Sequence, residues 1–99
     1  MKYIFHPAAE SEHLETVAYY ESQRKGLGAD YLTEFESAMA DICATPRRYP
    51  IARKPNIRRG RMKKFPFSIL FREIFGSVQL LAVAHHRRHP EYWIGRLHS

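Results

Sequence analysis

Apolar and polar positions change period along the chain. Residues 67–75 and 78–85 alternate in two strand-like runs with Gly76-Ser77 between them. A two-residue Gly-X loop suits a type II′ turn, because glycine accepts the positive φ at its first position. The expected register sets Phe75 opposite Val78, Phe71 opposite Ala82, Ile69 opposite Ala84 and Phe67 opposite His86. Side chains alternate at period two. Phe67, Ile69, Phe71, Phe75, Val78, Leu80, Ala82 and Ala84 then form a helix-facing side broken by Glu73. Ser68, Leu70, Arg72, Ile74, Gln79, Leu81, Val83 and His85 form the other side. Residues 58–64 read as a third strand joined through Phe65-Pro66. An even-length connection puts Arg59, Arg61 and Lys63 on the Arg72/His85 side and Met62 on the core side, and an odd loop or a bulge inverts this.

The first half has helical period. Residues 2–6 read as a short strand, and Pro7 suits the first turn of a helix reaching about residue 25. Leu14, Val17 and Ala18 are its expected apolar stripe, with Glu10, Glu12, Glu15 and Glu21 on the solvent side. Arg24-Lys25-Gly26 has the look of a C-terminal end. A second helix over 28–44 carries Tyr31, Leu32, Phe35, Ala38, Met39 and Ile42 at i, i+3, i+4, i+7 spacing. Thr45-Pro46 ends it. The short link around Leu27-Gly28 implies an antiparallel helical hairpin. Residues 46–57, with three prolines, read as an extended crossing loop, and Pro90 as the opening of a short last helix holding Tyr92, Trp93 and Arg96. The predicted class is α+β, in the order β-α-α-β-β-β-short α, a helical hairpin on an antiparallel sheet.

Composition adds bounds. Ninety-nine residues with 44% apolar content suit one domain, 1–99, with a single modest core. No apolar run is long enough to span a membrane, and the N-terminal apolar segment is too short for a signal peptide. The lone Cys43, near the apolar stripe, excludes an internal disulfide and reads as a small buried hydrophobe. Cytoplasmic residence is expected.

Charge is split by halves. Residues 1–45 hold three basic and eight acidic residues, a net of −5, and residues 46–99 hold thirteen basic and two acidic, a net of +11. The alternatives are a solvated basic surface and a polyanionic or acidic partner. Basic strands beside aromatics favour the partner.

Several chemistries lack their residues. Glu73 and Glu91 are the only carboxylates in the basic half, which leaves no oxygen cluster for a magnesium-dependent nuclease. His85, His86 and His89 lack ligand-spaced companions other than Glu91, so no metal site is expected. There is no nucleotide-binding glycine loop and no serine nucleophile elbow, and no cofactor is expected. Metal-free RNA cleavage stays open. It needs a base for the 2′-hydroxyl, cations at the phosphate and an acid for the leaving oxygen. The candidate catalytic set is His85, Tyr92, Arg72, Arg61 and Lys63. The alternative is a phosphate- or protein-binding surface without chemistry.

The chain resembles the RelE/ParE superfamily of type II toxin–antitoxin toxins along essentially its whole length. The carrying residues are Pro7-Ala8, Tyr19-Tyr20-Glu21, Phe35-Glu36-Ser37-Ala38 and Pro46. More specific are Arg58-Arg59, Phe65-Pro66-Phe67, Ile69, Phe71-Arg72, Ala82-Val83-Ala84-His85 and Arg87-Arg88-x-Pro90-x-Tyr92-Trp93. The last run resembles the ParE-like (plasmid stabilisation) branch. That branch usually has Tyr where this chain has Phe67 and Phe71, and often Gly at 86 and Asp at 89. His89 in place of an Asp weakens the expected helix cap.

The resemblance implies a small basic toxin held in check by a cognate antitoxin. ParE-like members poison DNA gyrase and stall replication, whereas RelE-like members cut mRNA on the ribosome without a metal. The arginine-rich tail motif favours the first. An inactive relic that only binds antitoxin is a third expectation. Expected target contacts are Arg59, Arg61, Lys63, Arg72, His85, Arg87, Arg88, Tyr92 and Trp93. An acidic, partly disordered antitoxin segment is expected to cover Leu70, Ile74, Leu81 and Val83. Left bare, those four predict a toxin that self-associates.

Overall fold

A computed structural model describes residues 1–98. Its elements are β1 (Lys2–Phe5), α1 (Pro7–Gln23), α2 (Leu27–Ala44), β2 (Ile51–Arg53), β3 (Ile57–Arg61), β4 (Phe67–Ile74) and β5 (Ser77–His85). Single 3₁₀ turns lie at Pro46–Arg48 and Ile94–His98. The fold is α+β, with the two helices packed on one face of a five-stranded sheet of order β1-β5-β4-β3-β2. The sheet is mixed rather than antiparallel, because β1 runs parallel to β5. Among the described residues, no helix is long and apolar enough to cross a membrane.

The α2 stripe is as expected: Tyr31, Phe35, Met39 and Ile42 are buried, with Gly28 at its start. The α1 stripe differs. Leu14 is 61% exposed, and Ala18 is exposed too. The buried face is Ala9, His13 and Thr16, with Val17 and Tyr20 packed beside it. A histidine and a threonine hold core positions because each finds local company. Thr16 Oγ1 donates to the Glu12 carbonyl at 2.7 Å. The His13 ring lies 4.2 Å from Phe35 and 5.3 Å from Phe5, and Nδ1 is 3.4 Å from the Tyr31 hydroxyl. Burial holds the His13 pKa below that of a free imidazole.

The helical hairpin turns at Gly26, whose φ of 91° is left-handed. The Glu21 carboxylate then accepts the Gly26 and Gly28 N–H groups at about 3.0 Å, satisfying donors at the start of α2. At Gly28 the helices meet: an added Cβ would stand 2.9 Å from the Val17 carbonyl oxygen and 3.0 Å from Glu21 Oε1. Gly28→Ala should therefore cost about 1–3 kcal/mol despite alanine's better helix propensity. Urea denaturation checks this, and an unchanged or raised midpoint would refute it.

The β4–β5 hairpin differs from expectation in two places. Its loop residues are Phe75 and Gly76, both with positive φ (50° and 77°), which is the type I′ pattern, and Ile74 pairs with Ser77. Phe75 is thereby fully exposed instead of facing the helices. A bulge then breaks the ladder, since Leu70 pairs with Ala82 and Phe71 with Leu80. Leu81 is the extra residue, and Leu81 and Ala82 are buried in the same cluster. Beyond the bulge the faces exchange. Val83 and His85 turn to the helices, while Ala84 and His86 turn away.

Residues 46–57 are not simply a loop, because β2 adds an edge strand to β3. Strand β3 stops at Arg61, short of residue 64. Among the described residues the last segment has no α-helix. Tyr92 and Trp93 lie in turns ahead of the 3₁₀ turn that contains Arg96.

That segment covers the sheet face away from the helices. Trp93 is only 2% exposed and clusters with Ile57, Leu70, Leu81 and Ala82, with Tyr92, Ile94 and Leu97 packed around. The expected apolar groove therefore does not exist. Leu70 and Leu81 are buried beneath the strap, Val83 is buried on the helix side, and Ile74 is half-buried. Of the exposure on which an antitoxin contact would rest, only part remains, at Ile74.

Candidate anion-binding site

Between β3, β4 and the turn after β5 lies a recess of about 450 Å³. Arg59 and Arg61 form one wall, as Arg59 pairs with Leu70 and Arg61 with Ser68 on β4. Two strand positions on one face put their Cα atoms about 7 Å apart. Ser68, Leu70, Ala84 and Trp93 line its inner part. His86, Arg88, His89 and Glu91 close the opposite wall. Glu91 is tied by a 3.1 Å ion pair to Arg53, across to β2. The turn is shaped by two local bonds: the His85 Nδ1 accepts the Arg87 N–H at 3.0 Å, and the His89 Nδ1 accepts the Glu91 N–H at 3.4 Å. His89 thus holds the turn, and among the described residues no α-helix follows there for an Asp to cap.

His86 shares the recess with Arg59 and Arg61 and feels the charge of both. Its Nε2 lies 3.1 Å from Ser68 Oγ. Although the residue is exposed overall, partial burial of the ring and then the Arg61 charge hold its pKa below that of a free imidazole, against a hydrogen bond with the Phe67 backbone. A neutral imidazole beside a hydroxyl and two guanidiniums can bind a phosphate and accept a proton.

A second network fastens the turn. The Glu12 carboxylate, expected in solvent, is mostly buried. It accepts the Val83 N–H at 3.1 Å, the Tyr92 hydroxyl at 2.6 Å, and both terminal nitrogens of Arg96 at 2.8 and 3.0 Å. Arg88 lies 3.9 Å from the same carboxylate, and its guanidinium stacks 3.7 Å from the centre of the Tyr92 ring. Burial raises the Glu12 pKa, but the bonds from Arg96, Tyr92 and Val83 outweigh it, and the net shift is downward. Burial and the Glu12 charge push the Tyr92 phenol well above its ordinary value.

The candidate residues from sequence divide accordingly. Arg59, Arg61 and Arg88 line the recess, with Arg87 exposed in the adjoining turn. His85 reaches its edge but turns its ring against Phe67 on the helix side, 5.1 Å between centroids. Lys63 lies beyond the end of β3, beside Glu34 and Ser37 of α2. Arg72 shares the sheet face but sits four residues, about 13 Å, along β4 from Ser68. There its Nε donates to Gln79 at 2.9 Å. Tyr92 is locked to Glu12, and Trp93 is buried. The proposed catalytic set of His85, Tyr92, Arg72, Arg61 and Lys63 does not converge. His86, Ser68 and Glu12 were not singled out. The break in alternation at Leu80-Leu81-Ala82 is the sequence signal that could have revealed His86, since a bulge there reverses the histidines. Among the described residues, no group of three His, Cys, Asp or Glu side chains is placed to hold a metal.

No protein-family model matches the chain, and no curated protein is similar to it.

Proposed function

We propose that the chain is the toxin of a type II toxin–antitoxin module of the RelE/ParE kind, and that it acts in the ParE-like manner, by binding DNA gyrase in the cytoplasm and blocking replication. The observation that carries the choice is the scatter of the five nuclease candidates. Tyr92 is a half-buried hydrogen-bond donor committed to Glu12, His85 turns to the other face, and Lys63 and Arg72 lie away from the recess. Exposed cations remain around one end of the sheet: Arg59, Arg61, Arg87 and Arg88. They suit binding to an acidic surface without chemistry. Tyr92 and Trp93 act by holding that turn, not by touching the target. A cognate antitoxin with an acidic segment neutralises the basic half, and its electrostatic share weakens at high salt.

Purified toxin should inhibit gyrase supercoiling at micromolar concentration, and Arg59→Gln with Arg61→Gln should reduce that inhibition by about tenfold or more. No inhibition and no trapped cleavage complex at that concentration would sink the reading. One observation favours a second reading, a ribosome-dependent mRNA endoribonuclease: His86 is held neutral beside Ser68 and Arg61. Primer extension on translated mRNA decides it, since new 3′ ends that vanish in His86→Ala would favour cleavage over gyrase binding.

A further inference from the structure

We propose that the recess between β3, β4 and the turn after β5 binds a phosphomonoester dianion, such as the terminal phosphate of a nucleotide, through Arg59, Arg61, Ser68 and His86. Five other arginines of the described chain are committed to carboxylates: Arg24, Arg47, Arg53, Arg88 and Arg96. Arg58 and Arg72 are committed to neutral acceptors, the carbonyls of Arg47 and Tyr49 and the Gln79 amide. Arg59 and Arg61 have no such partner among the described residues, yet both line one concavity. The lining carboxylate, Glu91, is already neutralised by Arg53. Two guanidiniums on one strand face, with a hydroxyl and an imidazole across from them, offer converging donors for the oxygens of one phosphate.

The shape selects a terminal group over a passing chain. The inner end is closed by buried Ser68, Leu70 and Trp93, a floor against which the end of a ligand can rest. At about 450 Å³ the recess has room for a phosphate and the sugar-sized group that carries it. A dianion would also alter His86. The groups facing that ring are Arg59 and Arg61 of β3, Ser68 of β4, His85 of β5, and Arg88, His89 and Glu91 of the turn. Partial burial of the ring, and then the cations that prevail among these groups, disfavour the imidazolium when the recess holds no anion. A bound dianion reverses the local field, so binding takes up a proton and tightens as the pH falls.

The test is calorimetric titration of the purified chain with adenosine 5′-monophosphate, with adenosine, and with a dinucleoside monophosphate that has no terminal phosphate. The monophosphate should bind saturably at one site, be displaced by inorganic phosphate, and tighten between about pH 8 and about pH 6.8, above the second pKa of the ester phosphate at about 6. Adenosine should not bind, and the dinucleoside monophosphate should bind about tenfold more weakly. Arg61→Gln or Arg59→Gln should weaken binding by about tenfold or more, while Arg24→Gln, the same charge lost on the helical hairpin, should change it less than about twofold. Both recess arginines are exposed, so these variants fold. The proposal is overturned by absence of saturable binding, by equal loss in Arg24→Gln, or by equal affinity for the dinucleoside monophosphate, which would mark a phosphodiester track. The assay contains neither gyrase nor antitoxin, so its failure and failure of the toxin reading are separate results.

Discussion

Glu12→Ala will lower the unfolding free energy by about 3 kcal/mol. One carboxylate gathers donors from three places: the Val83 N–H on β5, the Tyr92 hydroxyl ahead of the last 3₁₀ turn, and Arg96 within it. Alanine leaves a mostly buried guanidinium and a strand N–H without their acceptor, which is the costly half of a broken ion pair. Glu12→Gln keeps the shape and should lose less. Trp93 is the only tryptophan, so its fluorescence reports on the strap directly. Urea titration followed at Trp93 should show the lower midpoint and a red-shifted native spectrum, and a loss below about 1 kcal/mol would refute the latch.

The same carboxylate fixes an acid limit. The folded Glu12 has a pKa below its unfolded value, so the unfolded chain binds this proton first as pH falls. Its stabilisation is complete above the ordinary carboxylate range, and is lost as the pH drops from there through the depressed folded value. Glu12→Gln should flatten that part of the stability–pH profile. If the wild type and Glu12→Gln lose stability in parallel on acidification, Glu12 is not the group responsible.

What was legible in the sequence depended on how local the cause was. The α2 stripe and the turn between the helices at Gly26 follow from spacing and one left-handed glycine, so both can be read from a few neighbouring residues, although α1 ends at Gln23, before Arg24 and Lys25, and Gly26 caps the start of α2 rather than the end of α1. The pairing of β1 with β5 joins residues some seventy-five positions apart, for instance Lys2 with Ser77, and no local pattern announces it. The α1 stripe differs from its expected form because His13 and Thr16 do not count as apolar, yet both are buried, Thr16 with a partner on its own helix and His13 with one on α2. At the site the decisive event is one inserted residue. Leu81 shifts the strand by one, and a one-residue slip sends every later side chain to the other face. That single bulge carried Val83 and His85 to the helices and brought His86 to the cations. Arg59 and Arg61 were placed correctly because β3 precedes it and pairs regularly with β4.

Trp93→Ala will cost about 3–5 kcal/mol, the range for removing a buried tryptophan side chain. Domains of this size have about 5–15 kcal/mol in all, so the variant stands near the edge of folding at room temperature. Beneath the indole lie Ile57, Leu70, Leu81 and Ala82, and on that side of the sheet the half-buried Tyr92, Ile94 and Leu97 pack only around the edges of the cluster the indole covers. Here the association expected from sequence for the bare toxin belongs to the variant instead. Wild-type protein should run as a monodisperse species, while Trp93→Ala binds a hydrophobic dye and self-associates with rising concentration. Trp93→Phe should retain most of the stability, because an aromatic ring still fills the site, although the bond from Nε1 to the Pro90 carbonyl is lost. If Trp93→Ala stays as soluble and as stable as the wild type, the strap is not what covers Leu70 and Leu81. The far face of the sheet would then be open to a partner after all.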